Sequence, residues 1–457
     1  MIRERTRRKA RLPQMTRPAP APSAPAAVGA RGDLPGSDVG SAILAVELAL
    51  TGDGRWDQAE MAIDELTRDP DVSGAASLFH GAPAAALAMD TAAVDGYLDL
   101  RDAQLVAEAR RRQAQEPRLF REMQLDLDED LRQIVEQRLA AAEARYEAGR
   151  PPTAAEFGLL EGMLGLGVIL LRRAPGTVLM QRVIDYVVSL TRPVLVNAVR
   201  LPGWYVAHNP GPDSSTPGGH VNMTMASGAG GLLAFLVACV RAGYTRDSLH
   251  VPIKALVDWF VRWQQPASAE WPDSVWWPRW VTPAEVQVGH LVGSRGVGEA
   301  LPSWSRMAGM ARAVQMGASV LAASRYPHAD EARMVRALAE EAMLACLTNR
   351  QLRRLSSGGL WGGLAGLYQT GYRAAADATG PTEIRLKHRM SAVGDALRSQ
   401  VVTLPAGGPG DLWSGESGLR LAAQTLRRGT APTSWWDACL LVTGNPYPAD
   451  RRSAPWS

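Results

Sequence analysis

Thiol, imidazole and carboxylate groups are what this chain has for binding a metal, moving a proton or attacking a carbon, so their spacing is read first. Cysteine occurs three times, at Cys239, Cys346 and Cys439, with no Cys-x-x-Cys pair to suggest a zinc ribbon or a dithiol redox site. Each sits in an apolar run (LVACV, MLACL, WWDACLLV) and reads as a small buried hydrophobe. The seven histidines are His80, His208, His220, His250, His290, His328 and His388, and none stands four residues from another or beside a cysteine. No metal and no other cofactor is expected from this inventory. His80 remains a candidate proton-transfer residue, although a single histidine is more often a hydrogen-bonded structural group. Arg306 and Arg312 are candidates for holding a carboxylate, phosphate or enolate-like charge, against the plainer alternative of a surface ion pair.

The candidates cluster at a repeated element. A Gly-x-x-Gly-like turn opens a short apolar helix at 80–84 (HGAPA), 161–165 (EGMLG), 227–231 (SGAGG), 305–309 (SRMAG), 362–366 (GGLAG) and 414–418 (SGESG). The spacing of about 50 to 80 residues leaves room for one helical hairpin each. Glycine lets backbones approach closely and leaves the N–H groups of a helix start uncovered, so six aligned starts would gather their dipoles around one mouth. Inner apolar helices inside a ring of amphipathic ones make an all-α protein, an α/α toroid. Arg101–Arg150, with Leu125, Leu127, Leu131, Ile134 and Leu139, reads as exposed helix covering the core. VLVNAV at 194–199 suits a strand or a helix equally. Trp271, Trp276, Trp277 and Trp280, in WPDSVWWPRW, either line a pocket with Trp304 and Trp361 or cap the toroid by packing on one another.

Length and charge set the frame. A chain of 457 residues can bury a large core. Its net charge of +3 is uneven: residues 1–40 hold eight basic and three acidic residues, +5, leaving 41 basic against 43 acidic, −2. Residues 1–40 are rich in Arg, Pro, Ala and Gly, and are expected to be a disordered arm. The body, 41–446, is near neutral, which gives no case for nucleic-acid binding, and 447–457 form a tail. No apolar run reaches the length of a membrane span and no signal peptide is evident, so a cytoplasmic protein is expected.

The order and spacing of these pieces resemble the lanthionine synthetase C-like family, the cyclases of lantibiotic biosynthesis. The resemblance runs over roughly 40–445. It rests on the six turns, on Ser77-Leu78-Phe79-His80-Gly81 and Asn222-Met223-Thr224-Met225-Ala226-Ser227-Gly228, on Ala311-Arg312-Ala313 and Leu364-Ala365-Gly366-Leu367, and on Leu412-Trp413-Ser414-Gly415-Glu416-Ser417-Gly418 followed by Trp436-Asp437-Ala438-Cys439-Leu440-Leu441. It implies an α/α barrel acting on a dehydrated precursor peptide. Members usually use zinc, held by a Trp-Cys-x-Gly turn and a Cys-His-Gly turn, to activate a cysteine thiol for addition to a dehydroamino acid.

This chain departs from the family pattern at each of those places. At the fourth turn, counting from Gly309 puts Trp304 at the cysteine position, and anchoring on the tryptophan puts Ser305 there. Trp361-Gly362-Gly363 replaces Cys-His-Gly, Ser227-Gly228 replaces His-Gly, and Gly158 stands where an aspartate is implied. A hydroxyl is a poor zinc ligand, and indole and glycine offer none. The expected function is thus a peptide- or partner-binding pseudo-cyclase without zinc. Its partners would be a precursor peptide, a dehydratase or a kinase. The alternatives are a zinc-independent cyclase, or an unrelated toroidal carbohydrate-active enzyme, for which the turns offer only Glu161 and Glu416 as a carboxylate pair.

Overall fold

The computed structural model describes residues 37–92, 117–210, 216–244, 246–272, 274–292, 298–323, 328–403 and 412–443. The expected arm up to residue 36 and the tail from 447 lie outside the described residues. The first helix already begins at Ser37, inside the span expected to be arm.

In chain order the helices are α1 (Ser37–Leu50), α2 (Trp56–Thr67), α3 (Ala82–Ala92), α4 (Pro117–Glu147), α5 (Ala154–Phe157), α6 (Met163–Arg173), α7 (Val178–Leu190), α8 (Ala229–Arg241), α9 (Arg246–Trp263), α10 (Pro283–Val288), α11 (Met307–Ala323), α12 (Ala329–Cys346), α13 (Asn349–Leu352), α14 (Leu364–Asp377), α15 (Gly380–Val402) and α16 (Glu416–Arg428). A 3-10 turn follows at Trp436–Leu440. Helices α1, α3, α6, α8, α11, α14 and α16 pack each on the next, and α16 returns to α1, closing an inner ring. Helices α2, α4, α7, α9, α12 and α15 back the ring from outside.

Sequence patterning explains the two layers. Every residue of α8 from Ala229 to Val240 is buried, as a helix apolar on all sides must be. Among the described side chains of α4 the buried apolar residues are Leu127, Leu131, Ile134, Val135, Leu139 and Ala142, a stripe at helical spacing on an otherwise charged helix. Leu125, counted by sequence with that stripe, is exposed, because two residues from Leu127 is more than half a turn around the helix.

VLVNAV does not join a helix. Pro193–Val196 and Val199–Pro202 form an antiparallel hairpin, β1–β2, turning at Asn197 and Ala198, both with positive φ. A second small pair, β3 (Val221–Asn222) with β4 (Trp280–Val281), ties the third helix-start turn to the tryptophan-rich segment.

That segment packs on its surroundings. Trp271, Trp276 and Trp277 are buried; Trp271 Nε1 donates to the Ala300 carbonyl at 3.1 Å and Trp277 Nε1 to the Phe260 carbonyl at 2.8 Å. Only Trp280 is half exposed, beneath the Arg279 guanidinium at 4.6 Å.

The ring is filled at its centre by the end of the described chain. Thr433 and Ser434 N–H donate to Glu47 of α1 at 2.9 and 2.8 Å, and Arg172 of α6 donates to the Trp435 carbonyl at 3.0 Å. Arg312 of α11 donates to the Val442 carbonyl at 2.9 Å and Arg241 of α8 to that of Thr443 at 3.3 Å. Arg373 and Gln369 of α14 both bond the buried Asp437 carboxylate. Five inner helices thus grip residues 433–443 from around the ring.

Candidate functional site

The six helix-start turns meet at one end of the ring. Leu159 N–H donates to the Ala226 carbonyl at 2.6 Å, Met225 N–H to Ser305 at 3.4 Å, Ser305 N–H to Trp361 at 3.2 Å and Trp361 N–H to Trp413 at 3.1 Å. The circle closes through Phe79 and Trp413, whose rings meet edge to face at 4.6 Å, and through Arg138 of α4. Its guanidinium bonds the carbonyls of Gly74 and Ala76 in the first turn and Glu161 in the second.

One glycine in each of the last five turns makes this possible. A Cβ on Gly165, Gly231, Gly366 or Gly418 would stand 1.9–2.3 Å from the carbonyl oxygen six residues earlier. At the fourth turn the same clash, 1.9 Å for Gly309, is with Trp304, only five residues earlier. This turn is therefore one residue short. The carbonyls of Ala226, Ser305, Trp361 and Trp413 all accept from a neighbouring turn, which makes Ser305, rather than Trp304, the counterpart of Trp361. The shortening also puts Arg306 directly before α11, where Gly162, Gly228, Gly363 and Gly415 stand before their helices.

The third and fifth helix starts are not open to a ligand as glycine content alone implies. Gly230 and Gly231 N–H donate back to Met223 and Thr224; Leu364, Ala365 and Gly366 donate to Ser357, Gly358 and Gly359. The turn's own carbonyls satisfy the donors that a helix start otherwise leaves unpaired.

Each candidate residue has a definite place. Gly158 and Ser227 adjoin: a Cβ on Gly158 would lie 3.6 Å from Ser227 Cβ, and Ser227 Oγ accepts from Asn222 Nδ2 at 3.3 Å. Ser305 is buried, its hydroxyl 3.2 Å from Ser303 Oγ. Trp304 is fully buried; its Nε1 donates to the Leu440 carbonyl at 3.0 Å. Its ring stacks on Trp413 at 5.5 Å and meets Trp361 edge to face at 5.7 Å. Trp361 and Gly362 are half buried. Indole rings therefore stand at the centre of the mouth and run down to the segment that fills the ring.

His80 directly precedes the glycine of its turn, as Glu161, Ser227, Gly362 and Ser414 do in theirs. Its Nε2 lies 3.0 Å from Asp71 Oδ2, and 44% of its side chain is exposed. Bonds from the Ser73 N–H and hydroxyl, with His80 adding to them, hold the Asp71 carboxyl below its usual range. The pair is an imidazole beside an ionised carboxylate, facing solvent.

Arg312 is fully buried and bonds Val442, Gln315 and Asp377, all within the scaffold. Arg306 is partly buried at the rim, its Nη1 donating to the Glu299 carbonyl at 2.5 Å. Glu416 is paired with Arg420 one turn along α16, while Glu161 is exposed.

The zinc implied by the resemblance does not fit the residues present. Ser305, Trp361 and Gly362 supply no thiolate and no imidazole. Among the described residues no group of three His, Cys, Asp or Glu side chains is placed to hold a metal. The three thiols are buried in α8, in α12 and in the 3-10 turn, where burial pushes their pKa values well above the usual thiol range. Such thiols stay protonated at neutral pH and serve as packing.

A closed double ring of helices with its loops gathered at one mouth defines an α/α toroid. The sequence model for the lanthionine synthetase C-like protein matches residues 120–284, the stretch holding the second and third turns. A solved structure described as nisin cyclase superposes on 88% of this chain and 90% of its own, with a TM-score of 0.67 at 15% sequence identity. No curated protein matches the sequence. Residues 120–284 are thus similar to the lanthionine synthetase C-like family, and the fold of the chain is similar to that of a lanthionine cyclase. None of its described helices is long and apolar enough to cross a membrane.

Sequence reading missed Asp71, Arg279 and Arg354, whose settings arise from contacts distant in sequence.

Proposed function

We propose that this protein serves lanthipeptide-type peptide modification by binding a precursor peptide, or a dehydratase or kinase acting on one, at its mouth, without metal activation of a thiol. One observation carries the reading: Trp361 stands where the family's fifth turn presents a cysteine to zinc, beside Ser305 and Gly362, which offer no thiolate or imidazole. Trp361 offers a partly exposed ring backed by Trp304 and Trp413, which suits packing against a peptide side chain. The His80–Asp71 pair supports a second reading. A solvent-facing imidazole beside a carboxylate suits proton transfer during ring closure on an already reactive dehydroamino acid, with the mouth supplying proximity.

Both readings are tested by co-expressing a dehydrated, cysteine-containing precursor with and without this protein, then blocking free thiols and weighing the peptide. The binding reading expects unchanged free cysteine and a precursor that co-purifies with the protein. Loss of free cysteine only in the protein's presence would establish the cyclase. A result with no capture and no conversion would remove both readings.

A further inference from the structure

Three guanidiniums converge at the rim between the third and fourth turns. Arg279 belongs to the segment paired with the third turn, its carbonyl accepting from Met223 N–H at 3.0 Å. Arg306 directly precedes α11, and Arg354 follows the short α13. All three reach the same two residues. Arg306 Nη1 donates to the Glu299 carbonyl at 2.5 Å, Arg354 Nη2 donates to the Gly298 carbonyl at 3.1 Å, and Arg279 Nη1 stands 3.8 Å from the Glu299 carboxylate.

Around Arg279 and Arg306 the described residues hold more cation than anion, while Arg354 also donates to Gln351 Oε1 at 2.8 Å. Among the described residues no carboxylate forms an ion pair with Arg306, and the one beside Arg279 sits at the long end of the range. Glu270 and Arg350 flank Arg354 with opposite charges. Burial pulls the Arg306 pKa down to about 10, with repulsion from Arg279 and Arg354 contributing, and burial lowers that of Arg279 as well. Partly desolvated cations crowded in this way are stabilised by an incoming anion. Guanidinium groups suit carboxylate and phosphate oxygens, which accept paired N–H donors. The third and fourth helix starts, which flank the cluster, donate N–H groups to their own turns. Anion recognition there falls to side chains.

We infer that Arg279, Arg306 and Arg354 form a subsite for an oxyanion carried by the bound peptide, the carboxylate of an Asp or Glu side chain or the phosphate of a phosphorylated Ser or Thr. The inference rests on the peptide-binding reading above. The subsite adjoins Ser305, so it anchors a peptide one residue away from the aromatic centre of the mouth.

The test uses the full chain and three fluorescent peptides that differ only in a central Glu, phosphoserine or Gln, followed by anisotropy. Inorganic phosphate serves as competitor. Wild-type protein is expected to bind the two anionic peptides at least about tenfold more tightly than the Gln peptide, as a charge-assisted pair provides. Phosphate should compete with them. Arg306→Gln/Arg354→Gln should erase the preference while binding the Gln peptide unchanged. Arg306→Lys, which keeps the charge, should retain part of the preference, and Arg398→Gln on α15 all of it. Equal binding of all three peptides by wild type, or an undiminished preference in the double variant, overturns the subsite. The ratio of Glu to phosphoserine affinity tells which oxyanion is favoured. If no peptide binds, the peptide-binding reading fails; phosphate raising the Tm of wild type but not of the double variant would still support an oxyanion site, and no such rise would remove it.

Discussion

Gly362 and Gly363 are neighbours in the fifth turn with opposite tolerances. A Cβ on Gly363 would lie 2.3 Å from the Ser357 carbonyl oxygen and 2.7 Å from the Gly359 nitrogen, so the turn must open to admit any side chain. A Cβ on Gly362 meets nothing within 4 Å. Gly363→Ala is therefore expected to cost about 1–3 kcal/mol, the range for forcing atoms into a packed site. Gly362→Ala should stay within about 0.5 kcal/mol of wild type. Urea unfolding of the two variants checks this, and equal losses would mean the turn is not packed as described. The contrast bears on function: the position where the family places a metal-binding histidine has room for one here and holds none.

Among the elements, the segment 433–443 does what a metal centre cannot do for this chain: it joins the inner helices across the ring. Asp437 is fully buried, accepting from Arg373 Nε at 2.6 Å, Arg373 Nη2 at 2.8 Å and Gln369 Nε2 at 2.5 Å. Asp437→Asn leaves the Arg373 cation buried without its bonded counter-charge, a loss of about 3–5 kcal/mol by the measure of broken buried pairs. The urea midpoint should fall accordingly, while folded variant should still capture peptide, because the mouth lies at the turns. Loss of capture with an unchanged midpoint would contradict this division. The toroid and its inner helices were legible in the sequence because glycine spacing and all-round apolarity are local signals. The register of the fourth turn was not: choosing between Trp304 and Ser305 needed the hydrogen bonds that run from turn to turn. Arg312 was legible only as a cation near a helix start, since its partners Val442 and Asp377 are 130 and 65 residues away.

At the scale of the whole molecule, acid should loosen this toroid through a histidine that takes no part in the mouth's chemistry. Burial lowers the His220 pKa to about 4, with the His208 and Arg279 charges adding to the effect and a bond to the His208 carbonyl opposing it. In the unfolded chain the same imidazole titrates near 6.5. Above that value both states are neutral and the contribution to stability is intact. As pH falls from 6.5 to 4 the unfolded chain takes up a proton that the folded protein refuses, and about 3 kcal/mol is lost. Glu47 works the other way. Its burial raises the carboxyl pKa against the bonds from Ser434 and Thr433, so the folded protein binds that proton first and gains stability as pH falls through the raised value. His220→Gln should therefore flatten the decline in unfolding free energy between pH 6.5 and 4, leaving the Glu47 contribution more visible. His388→Gln, exposed on α15, should leave the decline unchanged. A decline of the same size in His220→Gln would place the acid sensitivity elsewhere.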